Sequence, residues 1–197
     1  MFCKKSIALI FLFCLFMLPK IRLHAQMWSI GIYINGINAH LKKPLNPTLY
    51  HRTITKNKLF VYNVGGGIRL SYYVNKYAGL TITQVFVPDD CANKLFGVTH
   101  AGVFLTTRYF NQSRHEGMLI GGPLLFYRKN WNNLPGYIDD KLMKQTKNKV
   151  WQYKFVWHGG FLEYQYHYDN FNAAGIHVMP GIPELISISG HHTSFIK

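Results

Sequence analysis

The sequence predicts an all-β fold, a single antiparallel β-barrel of about eight to ten strands that crosses a membrane. Three observations carry that expectation. Apolar and polar residues alternate with a period of two through most of the chain, as strands with two unlike faces require. Charged residues are 15% of the chain and aromatics 16%, whereas an ordinary soluble domain carries about 25% charge. Long polar connections also alternate with very short turns, the habit of barrels that span a bilayer.

The first segment is read as an export signal. Lys4 and Lys5 are followed by the apolar run Ser6 to Leu18, the breaker Pro19, and Leu23-His24-Ala25 ahead of Gln26. This is the order of charge, short apolar helix and cleavage site that a secretory signal needs. The run is about a dozen residues, short of the roughly twenty of a spanning helix, which weighs against an uncleaved anchor. Lipoprotein processing at Cys14 is disfavoured by bulky Phe13 before it. Residues 1–25 are thus expected to be a cleaved signal peptide and 26–197 one barrel domain. Cleavage would remove Lys4, Lys5, Lys20 and Arg22 and lower the formal net charge from +14 to +10. Cys91 would remain alone, so no internal disulfide is expected.

The strands follow in order. In Met27 to Ile37, Trp28, Ile30, Ile32 and Ile34 alternate with Ser29, Gly31, Tyr33 and Asn35. Lys58 to Val74 sets Val64, Ile68, Leu70 and Tyr72 against Asn63, Gly65, Arg69 and Ser71, and Asn75-Lys76 turns the chain into Tyr77 to Val87. Lys94 to Phe110 opposes Ala101, Val103 and Leu105 to His100, Gly102, Thr106 and Arg108; Glu116 to Arg128 is less cleanly divided. Val150 to His158 sets Trp151, Tyr153, Phe155 and Trp157 against Gln152, Lys154 and His158. Phe161 to Tyr168 answers it across a turn expected at Gly159-Gly160. Ala173 to Met179 and Leu185 to Ile196 close the series. The count is eight or nine. Closed bacterial barrels usually have an even number, so an error is expected at the C-terminus or as a missed strand near Tyr50 to Thr55. The competing architecture is a soluble, lipocalin-like carrier, apolar inside and polar outside.

If the aromatic face meets lipid, the other face fills the barrel with Arg69, His100, Arg108, Lys154, His158, Glu163, Gln165 and His167. Buried charge must pair, so Glu163 is expected to bind Arg69, Arg108 or Lys154 as a plug. A catalytic alternative uses His192 and Ser194, which two-residue spacing puts on one side of a strand, with Glu163 or Asp169 orienting the histidine. No metal is expected: the histidines are scattered, and His191 and His192 point to opposite faces. No cofactor is expected either. Ile120 to Asp140 is the most distinctive stretch. Its Arg128, Trp131, Tyr137, Asp139 and Asp140 form a candidate ligand-binding set, or a loop folded on itself with Arg128 paired to Asp139 or Asp140.

Residues Gly121-Gly122-Pro123 to Asp140, Val178-Met179-Pro180-Gly181-Ile182-Pro183 and Trp151-Gln152-Tyr153-Lys154-Phe155 resemble a group of small outer-membrane barrel proteins of Bacteroidota, and Ala25-Gln26 is similar to export junctions common there. That resemblance implies fold and location, and brings no activity with it. The segment His167-Tyr168-Asp169-Asn170 resembles the His-x-Ser-Asn stretch of outer-membrane lipid A deacylases, but Asp169 stands where the nucleophilic serine would be, so nothing catalytic follows there.

Clustered cations at Lys42, Lys43, Arg52, Lys56 and Lys58, and again from Arg128 to Lys149, call for an anionic surface. For an exported protein this points to lipopolysaccharide phosphate rather than nucleic acid. The expected protein is a monomeric envelope barrel in the cell outer membrane, non-enzymatic, its loops touching lipopolysaccharide or a small ligand. A lipid A esterase and a soluble periplasmic carrier are the alternatives.

Overall fold

The computed structural model of the 197-residue chain describes residues 27–40, 60–88, 94–107, 114–131, 143–180 and 185–196. The segment expected to be a signal peptide, the first basic loop, Tyr50 to Thr55 and Arg108 lie outside them, as do Tyr137, Asp139 and Asp140. Within them run β1 (Met27–His40), β2 (Phe60–Tyr73), β3 (Ala78–Pro88), β4 (Leu95–Thr106), β5 (His115–Lys129), the two-residue β6 (Lys144–Gln145), β7 (Trp151–His167), β8 (Asn172–Pro180) and β9 (Leu185–Ile196). Every pairing is antiparallel. β1 to β5 follow in sequence, β1 also pairs β9, and β7 pairs both β8 and β5, which closes the sheet. The result is a barrel of eight long strands with β6 laid on the start of β7.

The strand count is settled at Gly159-Gly160, and the expected turn there is a correction. β7 is one strand of 17 residues. Its pairing with β5 slips between Gly122↔Gly159 and Leu124↔Val156, a bulge opposite Pro123, which has no N–H to give a ladder. The bulge flips the phase of alternation, so Phe155 and Trp157 face outward before it and Leu162, Tyr164 and Tyr166 after it. Glycine is there for close approach: a Cβ on Gly159 would sit 1.9 Å from Leu124 Cδ1.

The two faces are inverted relative to a soluble domain. Each long strand puts an exposed aliphatic side chain outward: Ile32, Ile68, Ile82, Val103, Leu119, Leu162, Ile176 and Ile188. Inside are Arg69, Ser71, Thr81, Thr83, His100, Glu116, Gln152, Glu163, Gln165, His177, His191 and Thr193, all buried. The lipocalin-like alternative needs the opposite arrangement and is overturned by it. Apolar packing fills the rest of the interior around Phe104, Met118, Ile120, Leu124, Phe126, Phe161 and Phe195, as small barrels require.

The two rims differ. Val74–Tyr77 and Tyr168–Phe171 turn the chain at one rim, where β1 begins and β9 ends. Asn75 Oδ1 there accepts the N–H groups of Tyr77 and Ala78, a side chain standing in for a turn. The connections β1–β2 and β5–β7, the long ones, leave from the other rim.

Candidate functional site

Three polar groupings occupy the interior. At mid-barrel, Glu163 is held by side chains from four other strands. Arg69 Nη1 donates to its Oε2 at 2.5 Å, Tyr33 Oη donates to the same oxygen at 3.0 Å, and His177 Nδ1 lies 3.0 Å away. His191 Nε2 is 3.3 Å from Oε1, within ion-pair reach but off the line a hydrogen bond needs. Strand alternation delivers all five: each is an inward position of β1, β2, β7, β8 or β9. Of the partners foreseen for Glu163, the structure brings Arg69 and does not bring Lys154. Tyr33, His177 and His191 are further partners that the sequence does not single out for Glu163, although each lies at an inward position of its strand.

Nearer the short-turn rim, a second carboxylate was missed because it stands at the start of its strand. Glu116 accepts from Thr106 Oγ1 and from Gln165 Nε2 at 2.6 Å, and His167 Nε2 lies 2.6 Å away. Glu163 therefore shares the inner face with a second buried carboxylate. Both groupings are built as internal ties, paired by charge and hydrogen bond and sealed by neighbours.

At the opposite rim the candidate ligand set is partly assembled. Arg128 Nε donates to Gln152 Oε1 at 2.8 Å, and its guanidinium carbon lies 3.4 Å from the ring centre of Trp131. Lys129 Nζ sits 4.9 Å from the ring centre of Trp151. Two cations over two indoles give the long-loop rim a positive, aromatic edge. Lys144, Lys147 and Lys149 stand exposed beside it. The remaining members of the set, Tyr137, Asp139 and Asp140, lie outside the described residues.

His192 and Ser194 are brought together, but on the outer face and at the short-turn rim. Ser194 Oγ lies 3.3 Å from His192 Nε2 and donates to Asn172 Oδ1 at 2.9 Å; His192 Nδ1 lies 3.2 Å from Tyr168 Oη. Glu163 does not orient this histidine: its carboxylate is inside the barrel, on the far side of the wall. Asp169 does not either. Its oxygens accept the backbone N–H groups of Phe171 and Asn172, each at 2.7 Å, and the Asn172 side chain. The Asn172 amide first and these backbone donors next hold the Asp169 carboxyl below the usual aspartate range. Among the described residues no three His, Cys, Asp or Glu side chains are grouped to hold a metal ion.

No protein-family model and no curated protein sequence matches the chain. Solved structures do. The N-terminal β-barrel domain of Pseudomonas aeruginosa OprF is similar at a TM-score of 0.43 and 10% identity, over 85% of this chain and 97% of that one. Ail, the attachment invasion locus protein of Yersinia pestis, is similar at 0.45 and 10%, over 86% and 97%. Neisserial surface protein A is similar at 0.45 and 9%, over 88% and 97%. These likenesses concern the fold.

Proposed function

We propose that the chain is an exported outer-membrane barrel protein of the bacterial envelope, of the kind its motifs resemble in Bacteroidota. On this reading it binds rather than turns over, and its long-loop rim contacts lipopolysaccharide phosphate or a small anionic ligand. The observation that carries the reading is the unbroken ring of exposed aliphatic side chains, one on each long strand, around a polar, filled interior. Such a surface is costly in water and fits hydrocarbon. The rims fit as well, since transmembrane barrels keep short turns at the periplasmic side and long loops outside. Lys129 and the exposed Lys144, Lys147 and Lys149 then look outward, where charge and hydrogen bonding suit phosphate.

The test uses membranes from cells expressing the full chain. Retention after an alkaline carbonate wash, together with a change of gel mobility on boiling, is the expected result; release into the soluble fraction overturns the membrane reading. Lipopolysaccharide binding is tested on the same protein. Reversing Lys144, Lys147 and Lys149 to glutamate is expected to weaken it and flatten its salt dependence, and unchanged binding removes that role for the rim.

A second reading follows from the Ser194–His192 pair, ester hydrolysis at the lipid boundary. Ser194 would be the nucleophile, His192 the base through Nε2, and the Tyr168 hydroxyl would orient Nδ1. The pair lies at the short-turn rim, away from the leaflet that carries lipopolysaccharide in the orientation above. Glycerophospholipid is therefore the substrate to try before lipid A. Ser194→Ala should abolish fatty-acid release if this reading holds, and an unchanged lipid profile removes it.

A further inference from the structure

The ladder between β7 and β8 stops short. It runs from His167↔Ala173 to Leu162↔Val178, while β7 continues from Phe161 back to Trp151 with β5 along its other edge. The same register would next set Phe161 against Met179 and Gly160 against Pro180. Pro180 has no N–H for a ladder, and β8 ends there. Beyond it, β6 takes up the edge only at Gln152 and Tyr153. Among the described residues, the β8-side edge of β7 from Lys154 to Phe161 has no strand beside it.

Among the described residues, side chains and not a paired strand stand along this seam. Phe161 and Met179 are buried at the inner side of the seam. Outside it stand Phe155 and Trp157, their rings T-shaped at 5.2 Å, with Trp157 69% exposed. Behind Phe161 and Met179 lies a cavity of about 10 Å³, whose other walls are Val85, Val98, Ile120, Thr83, His100 and His177. That is room for about one water. His100 is 2% exposed, neither of its ring nitrogens has a hydrogen-bond partner, and its ring meets Phe161 edge-on at 4.4 Å. The seam thus joins an outer surface of apolar side chains to an inner space that is mostly apolar and ends on an unpaired imidazole.

We propose that the β7–β8 seam is a side port that admits the end of one lipid acyl chain from the bilayer into this cavity, with Phe161 and Met179 as its door. The inference rests on the membrane reading above. The occupant follows from the surroundings: Phe155, Trp157, Leu162 and Ile176 around the mouth all belong to the exposed apolar belt, so a chain in the leaflet is what touches it. The closed cavity is too small for a chain, so room comes from rotation of the door. Met179 is unbranched and adapts to the space offered, and no ladder bond has to break beyond Leu162↔Val178. The polar side chains of the cavity, Thr83, His100 and His177, mark how far the chain reaches.

The full chain is folded into phosphatidylcholine vesicles containing a small fraction of phosphatidylcholine with a diazirine at the end of one acyl chain. After illumination, labelled residues are mapped by peptide mass spectrometry. Labels on the inward residues Val85, Val98 or Ile120, besides the outward Trp157 and Leu162, are the expected result. Labels confined to outward residues overturn the port. Phe155 and Trp157 left unlabelled while the rest of the outward belt is labelled overturns it also, since the edge would then be a pairing surface. Phe161→Cys with Met179→Cys should lock the seam when oxidised and abolish inward labelling, and reduction should restore it. Val98→Phe, which fills the cavity without touching the seam, should abolish it under either condition. The mobility change on boiling reports folding of every variant. Outward labelling reports contact with the bilayer, so loss of both marks failure of the membrane reading, distinct from failure of the port.

Discussion

Arg69 and Glu163 stand 94 residues apart in sequence and meet at 2.5 Å in the middle of the barrel, both out of reach of solvent. Removing one partner leaves a buried charge without compensation. Glu163→Gln is expected to destabilise the barrel by about 3–5 kcal/mol, read from urea unfolding in lipid vesicles by tryptophan fluorescence. The double variant Arg69→Met, Glu163→Leu should recover much of that loss, because it removes the desolvated charges together. A neutral Glu163→Gln would mean that Arg69 is balanced by other groups.

Gly159 and Leu124 are matched at the bulge. Gly159→Val drives a side chain into Leu124 and is expected to cost about 1–3 kcal/mol, the usual range for overpacking. Leu124→Ala in the same chain should return most of it. The pair is measured by the temperature at which the folded gel band disappears. If Leu124→Ala gives no rescue, the glycine serves the backbone rather than that contact.

Neighbouring residues on β3 separate the two faces. Ile82→Arg points a charge out of the mid-strand wall and should cost about 2–4 kcal/mol in a bilayer, as such substitutions do on the lipid face. Thr81→Ser, on the inner face, should change little. Vesicle unfolding checks both, and a harmless Ile82→Arg would argue that water covers that surface.

The Tyr168–Phe171 turn is tied by Asp169, and the tie depends on pH. Folded Asp169 releases its proton more readily than the unfolded chain does. Its stabilisation is therefore present above the ordinary aspartate range, near pH 4, and is lost as pH falls through the lower folded value. The protection of the Phe171 and Asn172 amides, which donate to Asp169, should fall over that interval when exchange is taken relative to the free-chain rate at each pH. Asp169→Ala should lower that protection at neutral pH and remove its change with pH.

Much of this architecture was legible because a strand repeats every two residues. Alternation alone sorted Ile30, Ile32 and Ile34 from Ser29, Gly31 and Tyr33, and put Arg69 and Glu163 on one face. It failed where two different structures give the same text. A phase flip across Gly159-Gly160 is what a tight turn produces and also what a bulge produces. Choosing between them needs Pro123 on the facing strand, which no local window contains. Glu116 escaped for a related reason: at the first turn of a strand, parity has too few neighbours to be read. For Ser194 and His192 the spacing was visible, but their company was not. Asn172 and Tyr168 arrive from across a register that only the closed sheet defines.

The wall is completed by its first and last strands, with Trp28 beside Ile196 and His40 beside Leu185. No shorter piece of the chain can seal itself. Until β9 is available, β1 offers a bare apolar edge to any other chain it meets, and contacts this distant in sequence form slowly. Such a polypeptide stays open to wrong pairing until its whole set of strands is present, so the join between β1 and β9 makes closure a property of the complete barrel and of no part of it.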